Sequence, residues 1–582
     1  MTSKDAFPRS HWPLLVAVGG FVLLVAVMVL LSMERCRGYF GPVVDDAFIQ
    51  MAMAKNLAEH GVWGVNRWEF SSASSSFLWP PLLALCYALG WRGMFMPFGL
   101  NLIAAAGLLW VAHHRLRPLV RHPGALLPCL LVVVFATPLP MLAFIEMEHT
   151  LQALLFVSFV VVAASVLSVP PRTRVAPIRI LGLALLGAAA CAIRYESLFV
   201  TTLVCGLLAW RRRLNAALLV AATSALPLLI FGWYSHVHGG YWLPNSVLVK
   251  GNRPAHLHSF GDVLRYVTRP YRVLLTWRGA VSGVAALSLV PGLGLAWLLR
   301  LRRHGFWEGL QLVAVLTVFG VVCHLQFAYI SLRYGAYLVA SAVLLLMAFG
   351  LEQLPRLSLG RSWRASWTAA LPLVFIAPAL AKGTASTFVI PAAVQPTYEI
   401  EYPIGLLLRD HYSGSTVLVG ELGAPSYLGD IRCVDLFGLG SVEITRLMLE
   451  GRMNASTVAA LPSVRAATVA VVPDTLKRFL GPDWIEVGSW TVIPYGQERL
   501  RWRETFFGHG ETAADSLRVR FRRFSGGLSP NVEVTTAAST PRDATPGTPD
   551  MKQQAALSAA KSATRRAPRG ALARAKGRSG RL

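Results

Sequence analysis

Two adjacent carboxylates, Asp45 and Asp46, follow directly on an apolar run from Pro13 to Leu31. Charge beside a bilayer is costly, so acids at that place call for a reason. An Asp-Asp pair in a loop, taken alone, is a solvated turn as readily as a reactive site. Other polar groups stand at comparable places further on: Glu146 and Glu148, Arg194 and Glu196, Asn245, Lys250, and Arg333. A carboxylate can take the proton of a hydroxyl. Lys binds phosphate as a point charge and Arg as a bidentate fork. Adjacent aspartates point in different directions, so one can act as a base while the other binds a hydroxyl, a cation or an arginine. Plainer roles compete at every position. Lys250 is also an ordinary loop lysine and Arg333 an anchor for a span end. Arg194 and Glu196 can simply pair. Glu146 and Glu148 balance between helix caps and acceptors of sugar hydroxyls. Asn245, in Pro-Asn, is good turn material. Asp435 serves the fold. His236 and His238, beside Tyr241-Trp242, read as interfacial residues before metal ligands.

Such groups need elements that bring them together. Of the 582 residues, 54% are hydrophobic and 15% charged, against about 25% charged in soluble domains. The chain therefore reads as a polytopic α-helical membrane protein. Apolar runs fall near 13–33, 77–112 (broken at Trp91-Arg92-Gly93), 124–144, 149–168, 179–193, 197–210, 216–235, 280–299, 308–330, 335–351 and 366–380, which predicts about eleven spans. Lys4 and Arg9 precede the first run as in a signal peptide. The run is too long for one, and no small-residue cleavage site follows, so it is a retained helix.

The formal net charge is +25. The basic residues cluster between apolar runs, at 113–122, 170–179, 211–213, 300–303 and 356–364, and in the last segment from Lys552. That is the positive-inside pattern plus a basic tail, and it argues against nucleic acid as the partner. With these clusters in the cytoplasm, the acids and unusual arginines all fall on the opposite face. Region 77–112 holds enough apolar sequence for two helices, yet the charge rule permits an odd number of crossings there, so one half is re-entrant or interfacial. The seven cysteines lie mostly inside apolar runs, with no CxxC spacing and no zinc pattern.

Three regions follow. Residues 1–381 form the membrane domain, with a first outer loop at 34–76. Residues 382–525 form a small extracytoplasmic α/β domain, with a helix over Tyr398–Tyr412, strands at Thr416–Val419 and Ala467–Val472, a helix over Ser441–Glu450 and further strand material at Trp484–Ile493. Residues 526–582 are a disordered basic tail.

The chain resembles a known group. Asp45-Asp46-Ala47-Phe48-Ile49 with Ala54-Lys55-Asn56-Leu57-Ala58-Glu59-His60-Gly61 is similar to the first outer loop of GT-C superfamily glycosyltransferases, and Ser74-Ser75-Ser76-Phe77-Leu78-Trp79 to the segment after it. Glu146-Met147-Glu148, Arg194-Tyr195-Glu196, Leu243-Pro244-Asn245-Ser246 with Lys250, and Arg333-Tyr334 match in order. So do Gly420-Glu421-Leu422-Gly423-Ala424 and Val434-Asp435-Leu436-Phe437-Gly438-Leu439, with Glu421 standing where Asp is commoner. The subgroup is that of the mycobacterial terminal β-(1→2) arabinofuranosyltransferases, and the resemblance covers roughly residues 10–500. It implies a polyprenyl-phosphate sugar donor, an envelope glycan, lipid or protein as acceptor, and an active site on the outer face of the cytoplasmic membrane. It also implies Asp45 as base with Asp46 in support, Lys250, Arg333 and Arg194 on the donor phosphate, and Glu146, Glu148, Glu196, Asn245 and Tyr334 on substrate. No metal ligand set is implied, and a divalent cation is left open. The alternative is a polyprenol-linked or small-molecule transporter. Against it, the charges lie at span ends on one side, and there is no internal repeat. A third reading is an envelope scaffold whose tail binds acidic polymer.

Overall fold

The computed structural model describes residues 11–251, 259–274, 277–301, 305–327, 333–357, 363–493 and 501–537. The membrane domain is a helical bundle. Its first half holds α1 (Trp12–Arg35), α2 (Asp46–His60), α3 (Trp79–Ala88), α4 (Phe95–Leu116), α5 (Leu126–Ala136), α6 (Leu139–Ile145), α7 (His149–Leu167) and α8 (Pro177–Ile193). Its second half holds α9 (Ser197–Trp210), α10 (Leu214–Val237), α11 (Asn245–Lys250), α12 (Phe260–Leu274), α13 (Trp277–Leu301), α14 (Gly309–Phe327), α15 (Ala336–Leu357) and α16 (Trp363–Ala393).

Six stretches among the described residues are long and apolar enough to cross a membrane, and a seventh arises if α5 and α6, bent by 40° at Thr137-Pro138, form one span. The chain is a multi-pass membrane protein. The predicted eleven requires the shorter apolar helices α8, α9, α13 and α15 to cross as well. The expected break near Trp91 is present. The ten residues of α3 reach only about 15 Å, half of a bilayer core, whereas a helix the length of α4 spans it alone. Phe21, Leu109, Phe156, Phe159 and Tyr337 are among the buried residues of the bundle core. At one end, Arg213 donates to the carbonyls of Val166, Val169 and Pro170, and Arg211 lies over the Trp307 ring. Two of the basic clusters thus meet at the same end of the bundle.

The expected boundary at 381 falls inside α16, which continues to Ala393. The following domain begins with α17 (Tyr402–Tyr412) and continues through β1 (Thr416–Val419), α18 (Gly423–Gly429), β2 (Arg432–Asp435), α19 (Val442–Leu449), α20 (Ala455–Ala459), α21 (Pro462–Arg465), β3 (Val469–Pro473), β4 (Trp484–Val492), β5 (Trp502–His509), α22 (Gly510–Ser525) and β6 (Glu533–Thr536). One six-stranded sheet has the order β2-β1-β3-β5-β4-β6. β1 pairs in parallel with β2 and β3, and the remaining pairs are antiparallel. The parallel strands are short buried runs with helical crossovers, as parallel pairing requires. The expected end at 525 coincides with the end of α22. Residues beyond it form β6, which is held by β4 along Gly488–Thr491. The basic tail from 538 lies outside the described residues.

The two parts share a core. Ile49 and Met53 of α2, Trp63 and Phe231 cluster with Ile400, Leu407, Val417, Val419 and Leu439. The segment 34–76 therefore packs on the C-terminal sheet as one body.

Candidate active site

The polar residues spread along the sequence converge at the end of the bundle that faces this sheet. A cavity of about 530 Å³ opens there, lined by Asp46, Arg194, Glu196, Lys250, Arg333 and Tyr334 among others. Ile49, Met147, Phe199, Val247, Phe327 and Leu439 give it an apolar side. Asp46 opens α2, and Ile49 and Gln50 lie three and four residues on, so one helix face supplies all three to the wall.

Asp46 sits between two cations. Arg333 donates to Asp46 Oδ2, and Lys250 Nζ lies 3.7 Å from Asp46 Oδ1. Burial raises the proton affinity of this carboxyl, but Arg333 and Lys250 outweigh it and hold Asp46 below the usual carboxylate range. Arg333 also donates to the Tyr334 hydroxyl at 3.2 Å. The Tyr334 ring faces both guanidiniums, 4.9 Å from Arg333 and 5.0 Å from Arg194.

Asp45 behaves differently. Its carboxylate does not line this cavity. Oδ2 accepts from the Gly423 N–H at 2.5 Å and Oδ1 from the Ala424 N–H at 2.8 Å. The expectation that made Asp45 the base meets a side chain turned toward the C-terminal domain. Burial pushes its carboxyl up to about 7, the two amides pull it down by less, and Asp46 adds to the rise.

Arg194 is already engaged. It donates to Glu148 Oε1 at 2.7 Å, to Glu196 Oε1 at 2.6 Å and to Ser75 Oγ at 3.1 Å. The simple pairing weighed for Arg194 and Glu196 is present, with Glu148 as a third member, and the guanidinium edge still reaches the cavity wall. Glu146 is fully buried, with no hydrogen-bond partner for either oxygen among the described residues, and it does not line the cavity. Asn245 is buried and donates through Nδ2 to the Leu439 carbonyl at 3.2 Å, so it ties α11 to the sheet domain. Asp435 accepts from the amides of Phe437, Leu439 and Gly440 and thereby shapes the loop that carries Leu439.

Sequence reasoning missed Gln50, Ser75, Ser246 and Leu439 as wall residues. Gln50 was legible from the helical spacing after Asp46. Leu439 was not, because nothing local brings residue 439 to residue 46. Among the described residues no group of three or more His, Cys, Asp or Glu side chains is arranged to hold a metal ion.

The fold and cavity define a multi-pass membrane protein with a charged pocket between its helices and an α/β domain. Residues 392–511 match a family described as a domain of unknown function, DUF8728. No curated protein matches the chain. Two similar solved structures are both ArnT from Cupriavidus metallidurans. The one bound to undecaprenyl phosphate gives a TM-score of 0.46 at 12% identity, over 85% of this chain and 99% of that one. The apo form gives 0.45 at 13% identity, over 86% and 99%. At this degree of likeness the chemistry has to be read from the residues of the cavity.

Proposed function

We propose that the chain is an inverting membrane glycosyltransferase of GT-C type. It moves a sugar from a polyprenyl phosphate to an envelope glycan, lipid or protein. A pentofuranose such as arabinose is the sugar that the sequence resemblance favours. The site would face the outer side of the cytoplasmic membrane. The observation that carries the reading is the row Arg333–Asp46–Lys250 on the wall of a cavity whose other side is apolar. Two cations suit a phosphate, and the apolar side suits the first units of a lipid tail.

Of the two aspartates, Asp46 is the better base, because it reaches the cavity and Asp45 does not. The acceptor oxygen attacks the anomeric carbon as the bond to the phosphate oxygen breaks. The electron pair leaves with the phosphate, which Arg333 and Lys250 stabilise. The proton of the acceptor hydroxyl passes to Asp46. In the empty cavity the same cations hold Asp46. A donor phosphate takes them over and frees the carboxylate. Tyr334, held between Arg194 and Arg333, offers a ring face and a hydroxyl to the sugar.

The test is Asp46→Asn in a donor-turnover assay with inserted, folded protein. Transfer should fall by at least about a hundredfold, the lower range for loss of a general base. Wild-type turnover in that variant would sink the assignment. Lys250→Ala should weaken donor binding, and unchanged affinity would make it an ordinary loop lysine.

A further inference from the structure

We infer that the C-terminal domain is a working part of this cavity and that Asp45 is the positioning residue that latches it there. Asp45 occupies the N-cap position of α2, yet its side chain caps none of the amides of its own helix, which is the usual task of an aspartate side chain at that place. Its two oxygens instead accept the Gly423 and Ala424 amides at the start of α18. The approach requires glycine. A Cβ on Gly423 would lie 2.1 Å from the Asp45 carbonyl oxygen and 2.6 Å from Oδ1.

Side chains around the latch make the contact broad. The Phe48 and Tyr427 rings stack at 5.9 Å. The Tyr427 hydroxyl pairs with that of Tyr87 at 2.6 Å, so α18 is tied to α3 as well as α2. Phe48 and Met51 pack with Ala424. A second tie lies on the other side of the cavity. Asn245 donates to the Leu439 carbonyl, and Leu439 itself forms part of the wall. Asn245 opens α11, the helix that ends in Lys250.

The domain therefore holds the cavity at two points. One fixes the residue directly before Asp46. The other fixes the helix that presents Lys250. A shift of the domain would move the carboxylate and the ammonium relative to Arg333, which sits on the membrane part. This gives the segment matching a domain of unknown function a role in catalysis. It also explains the glycine at position 423 of the motif Gly420–Ala424.

The activity readout rests on the transferase reading, whereas the docking readout does not. Full-length Gly423→Ala, Asp45→Ala and Asp45→Asn proteins in lipid nanodiscs would be compared with wild type by hydrogen exchange over 416–441 and by transfer kinetics. Losing hydrogen bonds to a charged group changes an equilibrium by about ten- to a hundredfold. Exchange should rise in Gly423→Ala and Asp45→Ala, and their kcat should fall by about a hundredfold. Asp45→Asn keeps one acceptor oxygen and should retain about a tenth of kcat, with intermediate exchange. A catalytic base would give another pattern: Asp45→Asn as inactive as Asp45→Ala, with wild-type exchange in both. That result would overturn the latch, as would wild-type exchange and kcat in Gly423→Ala. If exchange rises as expected while even the wild type transfers no sugar from any polyprenyl phosphate offered, the latch stands as a docking contact. Its catalytic role then falls together with the transferase reading.

Discussion

At the scale of single residues, Asp46 is the proposed base. Arg333 and Lys250 favour its charged form, and a phosphate would compete with it for the same two cations. Removing its charge should then have opposite effects on binding and on chemistry. Asp46→Asn should bind a polyprenyl phosphate more tightly than wild type, by about tenfold for one like-charge contact removed, while transferring no sugar. Equilibrium binding to a fluorescent polyprenyl phosphate measures this, and unchanged or weaker binding would contradict the exchange of partners. Arg333→Lys keeps the charge but loses the guanidinium whose Nη2 reaches Asp46 and Tyr334 together. Donor affinity should fall by about tenfold in the same assay.

Among the elements, the turn between α8 and α9 works as a brace. Arg194 is buried with two acids, its side chain 6% exposed beside Glu148 at 0% and Glu196 at 13%. Removing one partner of such a buried set typically costs about 3–5 kcal/mol, because the remaining charges lose compensation. Arg194→Ala should therefore lower the thermal midpoint and yield of the detergent-solubilised protein before it shows a specific donor defect. A fully stable variant that has lost only donor affinity would make Arg194 a donor ligand and not a brace. The short helix α11 illustrates the same dependence. Lys250 stands at its end, and its start is fixed by Asn245 on Leu439. Its placement is a property of the helix and the loop it docks on.

For the whole molecule, the joint between membrane part and sheet domain gathers several buried acids. Burial raises Asp45 to about 7 from 3.8. Burial, with Asp45, Asp46 and Asp435 nearby, raises Glu421 to about 8 from 4.5. Glu504 is raised well above its ordinary value, first by burial and then by Glu421. Exposed in an unfolded chain, these acids would release their protons near pH 4. Between there and pH 8 the folded protein holds more protons than the unfolded one, so stability from this joint falls as pH rises through that window. The thermal midpoint, followed by tryptophan fluorescence, should drop from pH 6 to pH 9. A midpoint that climbs over that range would contradict the burial of these acids. Orientation is a second property of the whole chain. A reporter placed near residue 60 should be accessible from outside the cell in the transferase reading, and a cytoplasmic location would take the cavity out of reach of an envelope acceptor.

What the sequence determined by itself was everything that hydrophobic length and local spacing can carry. Apolar runs marked most of the bundle helices, because a membrane span must be long and continuous. Short β-branched runs bounded by Gly and Pro marked β1 and β3. The gathering of Asp46, Arg194, Lys250 and Arg333 at one end followed from alternating basic clusters, since the charge rule sorts loops by side. The tertiary structure decided which of two neighbouring aspartates faces the cavity. Consecutive residues differ by about 100° around a helix start, and only the Gly423 and Ala424 amides, nearly four hundred residues away in the chain, settle which direction each takes. Leu439 on the cavity wall, the continuation of α16 to Ala393 and the pairing of β6 with β4 depended on contacts between distant segments in the same way. No local pattern encodes such contacts, because their energy exists only once the sheet domain has closed on the segment 34–76.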